Sequence, residues 1–168
     1  MKRIEKTTII LLILSSCIGC DQVTKNIAKQ NLNQFETINL LKGTLQLRYV
    51  ENSGGFLGFG SLLPESIRFW LFTVLVGFFI VGMLLYLLIS NRLTFQVTVS
   101  FSLIISGAIG NFVDRLLYEG KVIDFLNLGV GSLRTGIFNV ADFVIIMGMI
   151  WIIIISIKGK RRSNSHSD

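Results

Sequence analysis

Three apolar runs, residues 69–90, 93–113 and 137–157, are each long enough to cross a bilayer core about 30 Å thick, which takes roughly 20 apolar residues. A soluble fold of 168 residues could not hide that much apolar surface. A fourth run, residues 7–20, is shorter and is entered by Lys2, Arg3 and Lys6. The chain is 51% hydrophobic and 15% charged, with a single proline. These features predict one integral membrane domain over residues 1–168, mainly α and polytopic. Its four transmembrane helices are expected at about 7–20, 69–90, 93–113 and 137–157. Extracytoplasmic loops are expected at 21–66 and 114–136, with a cytoplasmic tail at 158–168.

Orientation follows from where short segments concentrate lysine and arginine. The first six residues carry three basic groups, the Asn91-Arg92 link carries one, and Lys158, Lys160, Arg161 and Arg162 crowd the tail. The two long loops are mixed in charge. Both termini are therefore expected in the cytoplasm, and the net charge of +6 is mostly a topology signal. A nucleic-acid partner is not expected, because the basic tail lacks interleaved aromatics and the rest is membrane. Leu14-Ser15-Ser16-Cys17 after a basic, apolar start also has the look of a lipoprotein signal peptide. Three further spans leave no need for a lipid anchor, and losing helix one would leave the termini on opposite sides. Cys17 and Cys20 read as small apolar helix residues, since no redox fold surrounds their C-x-x-C spacing.

Between helices one and two, residues 34–51 alternate as strands do. Phe35, Thr37 and Asn39 oppose Glu36, Ile38 and Leu40; Leu45, Leu47 and Tyr49 oppose Gln46, Arg48 and Val50. Lys42-Gly43 is a turn candidate between them. This predicts a small extracytoplasmic β-sheet insertion able to take an extended peptide as an added strand; an ordinary connecting loop is the competing reading.

Four of the five aspartates, Asp21, Asp114, Asp124 and Asp142, lie in or beside polar breaks in the apolar runs, and Asp168 lies in the tail. A carboxylate at a helix centre costs about 2.5–3.5 kcal/mol on insertion scales, so such residues are functional candidates. Spacings of three and four put Asn111, Asp114 and Arg115 on one helix face, near the small residues Ser106, Gly107, Ala108 and Gly110. Asn139 and Asp142 are three apart at the start of helix four, and Asp21 is read as the outer cap of helix one with Lys25 a turn further on. All of these fall at one membrane face. Asp114 with Arg115, and Asp21 with Lys25, also read as helix-end charge pairs, and the asparagines as interhelical hydrogen-bond links. Asp124 and Asp142 have no adjacent basic residue, and two such carboxyls face to face would suit an aspartic-type hydrolase.

Asp21-Gln22-Val23-Thr24-Lys25, Asn52-Ser53-Gly54, Gly110-Asn111-Phe112-Val113-Asp114-Arg115, Val122-Ile123-Asp124-Phe125 and Phe138-Asn139-Val140-Ala141-Asp142 together resemble the bacterial lipoprotein signal peptidase (signal peptidase II) family. The match in order and spacing runs over roughly residues 7–157. The resemblance implies a catalytic pair at Asp124 and Asp142. It implies supporting or substrate-contacting roles for Asp21, Asn52, Asn111, Arg115 and Asn139, and structural roles for Lys25 and Asp114. The chain departs from the family at Gly55 and bulky Phe56 after Asn-x-Gly, and at Ser106-Gly107 in helix three.

By resemblance, the protein is a multi-pass enzyme of the bacterial inner or cytoplasmic membrane. It cuts a diacylglyceryl-modified prolipoprotein just before the lipidated cysteine. Its partners are that substrate and membrane lipid; a monomer is expected, as are peptide-like inhibitors of the family. No cofactor or metal is expected, since the only histidine is His166 in the tail. The rival class is a small transporter or proton channel using the same carboxylates as a relay, which an internal duplication would favour, and none is visible. Motifs for serine-type and presenilin-type membrane proteases are missing.

Overall fold

Helix α1 runs Arg3–Asn31 in the computed structural model, which describes residues 2–164. His166 and Asp168 lie outside the described residues. At 29 residues α1 is about 43 Å long. The expected end of helix one near residue 20 is corrected: Asp21 and Lys25 lie within the helix, so Asp21 does not cap it. Their charges do not end the helix because they are turned inward and paired, at 1% and 2% exposure, while Val23 and Ile27 face outward.

The remaining spans are α2 (Glu65–Ile89), α3 (Phe95–Leu117) and α4 (Val140–Asn164). All four helices are long and apolar enough to cross a membrane. The last begins three residues later than expected, so Asp142 sits in its first turn rather than deeper inside. Helix α3 is the central one and packs against the other three. Its start is capped by Thr94, whose hydroxyl accepts from the Val97 N–H. Its buried serine hydroxyls are returned to its own backbone, Ser100 to Gln96 and Ser102 to Thr98, so they cost little in an apolar bundle, whereas the buried Thr98 hydroxyl has no partner among the described residues. Glycines let α4 approach closely: a Cβ on Gly148 would meet the Ser100 carbonyl oxygen at 2.7 Å.

Toward the end of the bundle away from the sheet, Ile10, Ile80, Leu87 and Ile105 form a buried apolar cluster. There Lys6 donates to the Leu88 and Ser90 carbonyls at 3.0 and 2.8 Å, capping α2 from a neighbouring helix.

Four antiparallel strands lie in the order β1 (Ile38–Leu40), β2 (Leu45–Asn52), β3 (Val122–Val130), β4 (Leu133–Arg134). The expected hairpin is present, with its turn over Leu41–Gly43, but β1 begins at Ile38, and Phe35 is fully exposed outside it. The sheet extends beyond the α1–α2 connection: half of it comes from 122–134, a stretch expected as loop. Strand β3 lacks alternation because its first four residues are buried on both faces against α1, α3 and β2. Leu45 pairs with Leu128 and Val50 with Asp124, and the register shifts between Leu47 and Val50. A bulge of that kind re-aims side chains near a site.

Candidate active site

Asp124 enters from β3 and Asp142 from the first turn of α4, and Asn139 joins them. Asn139 is the residue before α4. Its Oδ1 accepts the Asp142 N–H at 2.9 Å, and Asp142 Oδ2 accepts the Asn139 N–H at 3.3 Å, a reciprocal cap. The Asn139 Nδ2 then donates to Asp124 Oδ1 at 2.6 Å. On the other side Asn52, at the end of β2, donates to Asp124 Oδ2 at 2.9 Å. Asn111 of α3 donates to Asp142 Oδ1 at 2.8 Å. Both carboxyls are buried, at 2% and 7% exposure, and every oxygen has a donor.

Burial pushes the Asp124 carboxyl up to about 7, with the Asp142 charge acting the same way; the Asn52 and Asn139 donors oppose the rise. At that value the group passes between its acid and ionised forms near neutral pH.

The expected supporting residues are gathered here, and of the two charge pairs suggested by sequence neighbours only Asp21 with Lys25 forms. Asp114 does not pair with Arg115. Lys25 Nζ instead reaches Asp21 at 2.7 Å, Asp114 at 2.9 Å and the Asn111 oxygen at 2.9 Å. Asp21 accepts the Ala141 N–H at 2.9 Å and Asp114 the Ile123 N–H at 3.0 Å. Arg115 donates to the Gly54 carbonyl at 3.0 Å, and its guanidinium lies 5.8 Å over the Phe72 ring.

Gln22 and Phe72 were not singled out from the sequence. Gln22 donates to Asp114 at 2.9 Å and to the Gly110 carbonyl at 3.1 Å. Its position between Asp21 and Lys25 was the available signal. Phe72 sits in a π-helical turn of α2, Phe69–Leu75, and presses on the glycine loop after Asn52; a Cβ on Gly60 would lie 2.9 Å from the ring. Nothing in an apolar span marks such a turn beforehand.

A cavity of about 290 Å³ opens at Asp124, between Val50, Asn52, Leu57, Gly58 and Ile137. A larger one of about 480 Å³ lies across the loop at Ser53, between Arg68, Thr73 and Arg115. Cys17 and Cys20 are free thiols. Among the described residues no three His, Cys, Asp or Glu side chains are grouped to hold a metal ion.

Four apolar spans, a small sheet and carboxyls gathered at one end define a polytopic membrane enzyme, and the fold agrees. A bacterial membrane enzyme solved by the in meso method at 2.3 Å resolution superposes with a TM-score of 0.77 at 28% identity, covering 90% of this chain and 88% of that one. Residues 13–158 match the family described as Signal peptidase (SPase) II, and the chain belongs to that family, a peptidase of the aspartic class. A lipoprotein signal peptidase of Syntrophus aciditrophicus is 30% identical over 162 residues, covering 95% of this chain and 99% of its own. One of Thermodesulfovibrio yellowstonii is 34% identical over 148 residues, covering 88% and 92%. One of Enterococcus faecalis is 35% identical over 144 residues, covering 85% and 84%. The transporter or channel alternative finds no support among them.

Proposed function

We propose that Asp124 and Asp142 are the catalytic pair of this peptidase, and that its substrate is a diacylglyceryl-modified prolipoprotein cut just before the lipidated cysteine. The observation that carries the pair is the shared Asn139: two buried carboxyls from different elements meet on one amide-capped residue. Two carboxyls held this way share one proton over the working pH range, and their titration belongs to the pair. The ionised member takes a proton from water as the water attacks the scissile carbonyl. The protonated member donates to the developing oxyanion, and the proton then passes to the leaving amine. Asn52, Asn111 and Asn139 are the supporting donors, with Asp21 and Arg115 shaping the surroundings and Lys25 and Asp114 holding them.

A site at the end of the spans suits a lipidated substrate, whose acyl chains stay in the bilayer while its peptide meets water. The setting is the bacterial cytoplasmic (inner) membrane, with the protein a monomer and both termini inside. The family's peptide-like inhibitors would meet Gly55-Phe56 at the loop edge. Cysteine labelling from outside should reach substitutions at Gly43 and Lys121 but not at Asn91; the reverse pattern would overturn the orientation. Purified protein given lipidated and unlipidated precursor should cut only the first and leave it intact with Asp124→Asn. Equal cutting of both would overturn the substrate assignment.

A further inference from the structure

We propose that Lys25 orients the two carboxyls of the pair by fixing which way round the Asn111 amide sits, an inference that rests on Asp124 and Asp142 being the catalytic pair. Lysine has three N–H donors and no acceptor. All three donors are used within the buried cluster, on Asp21 Oδ2 at 2.7 Å, Asp114 Oδ2 at 2.9 Å and Asn111 Oδ1 at 2.9 Å. Asn111 must therefore turn its oxygen toward Lys25 and its NH2 away. That NH2 lands on Asp142 Oδ1 at 2.8 Å.

The ordering passes on once more. The Asn111 oxygen also accepts from Asn139 Nδ2 at 3.0 Å, so Asn139 too must present its nitrogen inward, and that nitrogen meets Asp124 Oδ1 at 2.6 Å. The cation thus sets the polarity of Asn111 and, together with the Asp142 N–H that donates to Asn139 Oδ1 at 2.9 Å, that of Asn139, and each amide hands a donor to one aspartate. A reversed Asn111 would set its oxygen against the Asp142 carboxyl oxygen and its NH2 against the lysine. The other two acceptors of Lys25 act on the adjoining backbone: Asp21 receives the N–H of Ala141, just before Asp142, and Asp114 the N–H of Ile123, just before Asp124. A lysine that only held helices together would need neither the amide order nor this placement beside both aspartates.

The test compares wild type, Asn111→Ala, the paired change Lys25→Met with Asp114→Asn, and all three changes together, with lipidated prolipoprotein as substrate. The paired change removes one cation and one carboxylate, so the cluster keeps its net charge, and the asparagine oxygen at 114 can still accept from Ile123. In the wild-type background the paired change should lower kcat by about 100-fold, the cost of a misplaced reacting group, with KM nearly unchanged. In the Asn111→Ala background the same change should cost less than about threefold, because the effect travels through Asn111. Equal factors in both backgrounds overturn the proposal, as does wild-type kcat in the paired variant. Should the paired variant not fold, Asn111→Asp decides: it keeps an acceptor for Lys25 but cannot donate to Asp142, so full activity overturns the proposal and a comparable loss in kcat alone supports it. Asp124→Asn run alongside separates the two levels. If it is active, the pair assignment itself falls; if it is inactive while the Lys25 effects are additive, only the orientation role falls.

Discussion

Asn139 donates its side-chain amide to Asp124 at 2.6 Å although the two residues belong to different elements, one the cap of α4 and the other in β3. The same asparagine accepts the Asp142 N–H, so the helix start that places one carboxyl also grips the other. Neither β3 nor α4 can shift without breaking a buried hydrogen bond, and a constellation on rigid elements is what acid–base chemistry needs.

Asp124→Asn and Asp142→Asn should each lower processing of lipidated precursor by more than about 100-fold, roughly 2.7 kcal/mol of barrier. An amide can neither take the proton from water nor pass one to the leaving amine. Membrane insertion should survive, because asparagine is close to isosteric and removes a buried ionisable group. The double variant should be little worse than either single one, since residues acting as a unit are strongly non-additive. Turnover of purified variants measures this, and a single variant above about one hundredth of the wild-type rate would refute the shared-proton scheme.

The Asp124 carboxyl, raised to about 7 chiefly by burial, predicts a pH signature. Its raised value contributes stability that is complete below the ordinary carboxylate pKa and is lost as pH rises through about 7. Asparagine at this position removes that dependence. The melting temperature of Asp124→Asn relative to wild type should therefore be higher at about pH 8 than at about pH 5. Melting curves of the detergent-solubilised proteins give the comparison, and an identical offset at both pH values would contradict it.

The spans and the β1–β2 hairpin were legible because each obeys a simple period: long apolar runs for helices, alternation for strands. The C-terminal third of α1 was not, because Asp21 and Lys25 look like the end of a span until their partners on α3 are known. Strand β3 was hidden for the opposite reason, being buried on both faces where it carries Asp124. At the site, residue types and spacing picked out residues that the fold gathers together, and the Asp21–Lys25 pair is local, but the pairing of Asp114 is not. Asp114 adjoins Arg115 in sequence yet binds Lys25, which is remote in the chain and near only because α1 and α3 pack together. No linear pattern encodes the π-helical turn that brings Phe72 onto the glycine loop.

Arg115→Lys should lower kcat/KM by about tenfold or more while leaving the protein in the membrane. The guanidinium reaches the Gly54 carbonyl at 3.0 Å and the Asn111 carbonyl at 3.4 Å while lying over Phe72, and an ammonium cannot do all three. The loop after Asn52 should loosen, so the variant should also be cleaved faster by added protease within residues 53–61. Unchanged turnover together with unchanged proteolysis would reduce Arg115 to a solvated charge.

Gly110→Ala should damage the site from the packing side. A Cβ there would lie 2.6 Å from Asp21 Oδ2, 3.2 Å from Asp21 Cγ and 3.3 Å from the Ala141 Cβ. The carboxylate cannot give way freely, since it is held by Lys25 at 2.7 Å and by the Ala141 N–H at 2.9 Å. Either α1 and α3 separate or Asp21 releases the start of α4, and overpacking of this kind costs about 1–3 kcal/mol. Release would also move Asp142, so activity should fall further than the loss of folded protein explains. Gly19→Ala is the matched control: nothing lies within 4 Å of its Cβ position, so it should be neutral or slightly stabilising in the same helix bundle. Melting temperature and specific activity of the two variants, measured side by side, make the comparison. Equal behaviour would mean that the Gly110 contact with Asp21 does not constrain the site.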